Sequence, residues 1–185
     1  MRRTLGNIIS ILFTFVKFCF LKLFHWNTLY FHCIERLSPN VVVILEKKGK
    51  LRLGNKVRMH SGSRLSVTGG ELTIGDNCRF NNGCRITCRD KIEIENGVEF
   101  GPNVLVYDHD HDFRAEGGLK AGEYKKSPVH IGENSWVGAN TVILRGTQIG
   151  KNCVIGAGCV VTGDIPDNTV LVQKRENTYI SIAQR

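Results

Sequence analysis

The densest reactive chemistry in this chain is Asp108-His109-Asp110-His111-Asp112, two imidazoles interleaved with three carboxylates. An imidazole whose one ring nitrogen is held by a carboxylate can take a proton through the other near neutral pH. His109 and His111 are both candidates for such a general base. Asp108, Asp110 and Asp112 are candidates for the holding role. A metal centre would need a third ligand, and His60 and His130, the remaining histidines of the β region, stand at no evident ligand spacing. No metal is expected.

The surrounding repeat explains the cluster's place. From Ile131 the chain reads in sixes, opening at Ile131, Val137, Ile143, Ile149, Ile155 and Val161, with Ser135, Thr141, Thr147, Cys153 and Cys159 in the fifth places. A period of six fits neither a helix nor a plain strand; it is the repeat of a parallel β-helix. The aliphatic opener fills the core. The fifth residue points inward near a corner, where only a small side chain fits. Gly and Asn take the turns, which often need φ > 0. Earlier openers fall at Leu53, Met59 and Leu65, at Ile74, Phe80 and Ile86, and at Ile94, Phe100 and Val106. An all-β prism of about five coils over residues 40–168 is expected, entered by a strand at Val41–Leu45. After Val106 the next opener waits until Ile131, so residues 107–130 must leave the prism as a loop. Long loops on rigid scaffolds usually carry function, and both histidines lie at the base of this one.

Residues 1–39 are of another kind. An apolar run from Leu5 to Trp26 is interrupted by Lys17 and Lys22, leaving an uncharged core too short for a standard spanning helix. On a helix, Asn7, Ser10, Thr14 and Lys17 form one narrow polar stripe. That pattern predicts a helix lying in a membrane interface; packing on the prism or on a partner chain is the competing expectation. Tyr30 to Leu37 reads as a second short helix ended by Ser38-Pro39. Residues 169–185 read as a C-terminal tail.

Charge and cysteine usage narrow the setting. The net charge is +8. No basic patch with interleaved aromatics is visible, so nucleic acid is not an expected partner; a membrane surface or a phosphate-bearing cofactor fits better. There are seven Cys and no CxxC pair. Cys78, Cys84, Cys153 and Cys159 hold inward places, which points to packing rather than a disulfide framework, and to a reducing, cytoplasmic compartment.

The hexads, the loop with its histidines, Gly101-Pro102-Asn103-Val104, Trp136-Val137-Gly138-Ala139 and Ile155-Gly156-Ala157-Gly158-Cys159-Val160-Val161-Thr162 together resemble the hexapeptide-repeat acyltransferases. The closest group is that of the maltose, galactoside, xenobiotic and polysaccharide O-acetyltransferases. The resemblance covers about residues 50 to 168. It implies a left-handed β-helix, a homotrimer with sites between subunits, acetyl-CoA as donor and a saccharide of a capsular, exopolysaccharide or lipopolysaccharide precursor as acceptor. It places the catalytic histidine at His111, with His109 as backup; Asp110, between the two, is the candidate orienting carboxylate by position. It gives acetyl-CoA contacts to Trp136, Gly138, Ala139, Ala157 and Thr162. Gly163 stands where many relatives carry Lys, so the CoA phosphates fall to Lys151, Lys174 or Arg175 by charge. Asn81 and Asn82 are candidate sugar contacts, although turn formation is the commoner reason for Asn. The apolar N-terminus takes the place of the helical acceptor-binding domain of the maltose and galactoside enzymes, and favours an acceptor near the inner face of the cytoplasmic membrane. Two other readings use the same fold: a zinc enzyme resembling the γ-class carbonic anhydrases, which needs three convergent histidines, and a non-catalytic scaffold.

Overall fold

A computed structural model describes residues 2–180, with side chains from residue 6 onward. One long helix, α1 (Arg2–Phe24), precedes a parallel β-helix of triangular section. Its first face stacks Leu29–Tyr30, Lys50–Leu53, Glu71–Ile74, Lys91–Ile94, Val129–Ile131, Gln148–Ile149 and Asp164–Ile165. The second stacks Arg36–Leu37, Arg58–Met59, Arg79–Phe80, Glu99–Phe100, Trp136–Val137, Val154–Ile155 and Val170–Leu171. The third stacks Val42–Glu46, Arg64–Thr68, Arg85–Cys88, Leu105–Tyr107, Val142–Ile143 and Val160–Val161. With seven, seven and six strands, the prism has six complete coils and two sides of a seventh, not five. The added first coil uses residues 29–46. The second helix expected over Tyr30–Leu37 is absent: those residues supply strands, with Leu29, Leu37 and Val41 buried in the core.

Every opener named above is buried. Openers of one face stack in register, as in Phe80 on Phe100, whose rings are parallel with centroids 4.6 Å apart. The fifth places do more than fit. Ser63, Cys78, Cys84, Ser135, Thr141 and Cys153 each donate to a carbonyl of the next coil, at 2.9 to 3.2 Å. A hydroxyl or thiol thereby satisfies an inward carbonyl that the strand ladder leaves over. Cys78, Cys84, Cys88, Cys153 and Cys159 are buried and free, whereas Cys33 of the first coil is exposed; burial pushes the Cys78 thiol up to about 11.

Corner glycines have a steric reason. A Cβ on Gly138 would lie 2.6 Å from the Ala157 nitrogen, and one on Gly101 would lie 2.6 Å from that of Ala139. Gly138→Ala therefore forces two coils apart. It is expected to cost about 1 to 3 kcal/mol, read as a lowered denaturation midpoint; unchanged stability would show that the corner yields freely.

Helix α1 lies across the first coil with its polar stripe inward. The Thr14 hydroxyl accepts the Leu37 N–H at 2.9 Å and donates to the Ser10 carbonyl at 2.7 Å, while Ser10 donates to the Leu37 carbonyl at 3.3 Å. Lys17 donates to the Val41 carbonyl at 2.5 Å, and Lys22 to that of Leu29. Burial lowers the Lys17 pKa. Phe18 is fully buried, its ring 5.2 Å from that of Phe31. The opposite side exposes Ile8, Ile9, Leu12, Val16, Phe20, Leu23 and Phe24. Packing on the prism is thus what the polar stripe does, and the apolar side faces outward. By length and composition Gly6–Phe24 is apolar enough to cross a membrane, so length alone does not exclude a span. The hydrogen bonds to the first coil hold this helix flat against the prism.

Candidate active site

The interruption after Val106 is an ordered arm. His109–His111 pairs antiparallel with Tyr124–Lys126, and a short 3-10 turn, Gly118–Ala121, closes the far end. The arm leaves the corner between the third and first faces, and the coil resumes at Val129.

Asp108 anchors its base. The carboxylate is fully buried and accepts backbone N–H groups from Arg89 at 2.9 Å and Asp90 at 2.7 Å. Its Oδ1 lies 2.8 Å from His109 Nδ1. Burial by itself would raise the Asp108 pKa; the hydrogen bonds from His109 and the two backbone amides outweigh it and hold the carboxyl below its ordinary value. A buried carboxylate on Nδ1 fixes the imidazole's orientation and leaves Nε2 for chemistry. The His109 side chain is only 10% exposed. Tyr107 and Tyr124 meet its ring edge-on, with centroids at 6.2 and 5.3 Å.

His111 has a different setting. It shares the strand face of His109, because side chains alternate along a strand, and is exposed over Tyr124 with ring centroids 4.7 Å apart. Asp110 holds neither histidine: it is paired with Arg145, Nε to Oδ2 at 2.6 Å. Asp112 pairs with Lys125 at 3.4 Å and accepts the Arg114 N–H. Of the three acidic residues, the one on an imidazole is Asp108. Reading the sequence did not single out Arg89, Tyr124 or Arg145. Arg89 lies over the Tyr124 ring at 4.0 Å, so Tyr124 is clamped between a guanidinium and both histidines. The alternation of the Asp-His-Asp-His-Asp run gives all three carboxylates one parity, so it could not have told Asp108 from Asp110.

The residues implied for acetyl-CoA divide into two places. Trp136 stands 55% exposed on the second face. Gly138 and Ala139 follow it at the corner between the second and third faces. Ala157 lies one coil beyond, where the Gly158 N–H bonds the Ala139 carbonyl at 2.7 Å. Thr162 is at the other end of the third face, on the corner from which the histidine arm leaves. Of the three basic candidates, Arg175 reaches the Ala157 corner, donating to the Gly158 carbonyl. Lys174 is exposed, and Lys151 pairs with Glu133 at 3.3 Å on a different corner. Asn82 lies on the Ala139 corner, two coils back. Asn81 closes its own turn, its side-chain oxygen accepting the Asn82 N–H at 2.8 Å. A groove of about 390 Å³ beside them is lined by Gly83, Arg85, Asn103, Leu105 and Asn140. The histidine arm and the Trp136–Ala139 wall thus occupy different corners of one prism, with the third face between them. Among the described residues no group of three or more His, Cys, Asp or Glu could hold a metal ion.

Comparison with known proteins agrees with this architecture. Residues 128–163 match the family described as bacterial transferase hexapeptide (six repeats). A galactoside O-acetyltransferase of Lactococcus lactis is 42% identical over 133 residues, which is 72% of this chain and 64% of that protein. WbbJ of Escherichia coli, named as a lipopolysaccharide biosynthesis O-acetyl transferase, is 30% identical over 141 residues, 69% of each chain. The chain spans between about half and two thirds of the length of the curated relatives it matches, from 52% to 69% for three of them. Among solved structures, AntD, an N-acyltransferase from Bacillus cereus in complex with dTDP and 3-hydroxybutyryl-CoA, has a TM-score of 0.63 at 20% identity. That match covers 74% of this chain and 73% of AntD, and shows a shared fold. Six-residue repeats, stacked corners and WbbJ similarity over two thirds of both chains converge: this chain belongs to the hexapeptide-repeat transferase family.

Proposed function

We propose that the chain is an acetyl-CoA-dependent O-acetyltransferase acting on a saccharide hydroxyl, in a capsular, exopolysaccharide or lipopolysaccharide precursor. The observation that carries this reading is the buried Asp108 carboxylate on His109, at the base of an arm leaving a hexapeptide prism. It makes His109 the general base, in place of the His111 that the resemblance implies. His109 Nε2 takes the proton of the acceptor hydroxyl as the oxygen attacks the thioester carbonyl. A backbone N–H near Ala139 holds the oxyanion. The carbon–sulfur bond then breaks, and the imidazolium returns its proton to the thiolate. Asp108 stays ionised throughout and stabilises the imidazolium. Trp136 lines the path of the pantetheine arm, and Arg175 brings positive charge to the Ala157 corner for the CoA phosphates.

The two halves of this site sit on different corners of one prism, so a second copy supplies the wall that faces the histidine arm. This is the reason to read the enzyme as a homotrimer with sites between subunits. The apolar outer side of α1 makes it a peripheral protein at the inner face of the cytoplasmic membrane, near a membrane-bound acceptor.

The test is release of free thiol from acetyl-CoA across a panel of saccharide acceptors. Acceptor-dependent release with O-acetylated product is expected. A purified, folded trimer that releases no thiol with any acceptor would return the chain to the scaffold reading. Acceptor-independent activity lost on chelation would favour the zinc reading.

A further inference from the structure

Three arginines stack in register on the second face. Arg36 pairs with Arg58 and Arg58 with Arg79 along neighbouring parallel strands. Neighbouring strands lie about 4.8 Å apart, so three guanidinium-bearing positions form one ladder. Like charges directly opposed across strands destabilise a sheet. Only the last rung is relieved by a carboxylate, Arg79 meeting Glu99 at 3.1 Å. Among the described residues no acidic group is paired with Arg36 or Arg58. Burial, followed by the charges of Arg58 and Arg79, lowers the Arg36 pKa. Proteins break such local rules at functional or strained sites; what sets this stack apart from other opposed arginines is the space beside it, which two of its members line.

The ladder also has a cavity. Arg36, Arg58 and His60 line a space of about 520 Å³ together with Ser38, Met59 and, from α1, Asn7 and Ser10. Guanidinium forks, an imidazole, hydroxyls and an amide are the donors that recognise phosphate oxygens. The cavity opens at the flank of α1, next to the helix whose outer side carries Ile8, Ile9 and Leu12.

We infer that the cavity under α1, walled by Arg36, Arg58 and His60, binds the phosphate of an anionic phospholipid headgroup while the apolar side of α1 lies in the acyl boundary. The site rests on the membrane reading of α1 and adds lipid-charge selectivity to it. Apolar side chains anchor the protein on any bilayer; the ladder makes it prefer an anionic one.

The experiment is co-sedimentation of the full chain with vesicles of phosphatidylcholine, and of phosphatidylcholine mixed in equal parts with phosphatidylglycerol. Wild type is expected to bind the anionic vesicles more tightly. The pair Arg36→Gln and Arg58→Gln should lose about thirtyfold on anionic vesicles and nothing on neutral ones. The pair Arg64→Gln and Arg85→Gln, a two-rung stack on the third face, removes equal charge elsewhere and should lose clearly less. Equal losses for the two pairs, or no anionic preference in wild type, overturn the site while leaving α1 as an anchor. Failure of wild type to bind either vesicle overturns the membrane reading itself. A thermal shift with inorganic pyrophosphate then tells whether the cavity takes a soluble phosphate; a shift that depends on Arg36 and Arg58 in a protein that ignores vesicles overturns the lipid as its source.

Discussion

His109→Ala is expected to lower turnover by about 10²- to 10⁴-fold, the usual worth of a positioned general base. His111→Ala should cost much less and act chiefly on acceptor KM. The reason lies in the two environments. His109 has its Nδ1 2.8 Å from a fully buried carboxylate; His111 is exposed over Tyr124. Asp108→Asn should act through His109. It keeps the shape of the corner and can still accept the Arg89 N–H, but it no longer stabilises an imidazolium. Most of the loss should appear in kcat, and the pH profile of kcat/KM should change in its acid limb, which a purely structural defect would not produce. Steady-state kinetics on the three variants decides. If His111→Ala loses turnover and His109→Ala keeps it, the resemblance was the better guide and the dyad is structural.

The second large effect concerns the membrane. Leu12, Val16, Phe20 and Leu23 are between 59% and 75% exposed on the outer side of α1. Replacing the four with Ser should release the chain from membranes. Each buried apolar side chain contributes roughly 1.5 kcal/mol or more to insertion, so the combined loss exceeds a thousandfold in partition. The same change should leave the thermal midpoint nearly untouched, because these side chains do not enter the core. Phe18→Ala is the counterpart: its ring is fully buried, and its loss should cost about 3 to 5 kcal/mol of stability. Vesicle flotation with a melting curve reads both. If the Ser variant floats like wild type, the outer side is not the anchor; if it unfolds or changes its oligomeric state, that side is packed against protein.

The prism was legible because each coil repeats the same local bargain among an aliphatic opener, a small inward donor and a turn residue. Leu53 through Val161 could be placed coil by coil, and the single break after Val106 located the arm. The first coil escaped although Leu37 and Val43 keep the six-residue spacing, in register with Met59 and Leu65, because no glycine marks its turns and the bulky Val41 fills a fifth place. The orienting carboxylate was legible only as one of three. Strand parity is the same for all three; the one that meets an imidazole is set by the Arg89 and Asp90 amides of the preceding coil, a tertiary fact. The direction of the α1 stripe was also hidden. Asn7, Ser10, Thr14 and Lys17 would read the same facing headgroups or facing backbone; the amide and carbonyls of Leu37 and Val41 decided it.

That inward stripe has a bearing on how the protein stays discrete. A parallel β-helix ends in bare strand edges, each a template for another chain. At the amino end the threonine, serine and lysine of α1 occupy that template, bonding the first coil where a further coil would otherwise add. A chain truncated before residue 25 would lose its plug along with its greasy side. It should assemble end to end into filaments or aggregate rather than emerge as a well-behaved soluble enzyme.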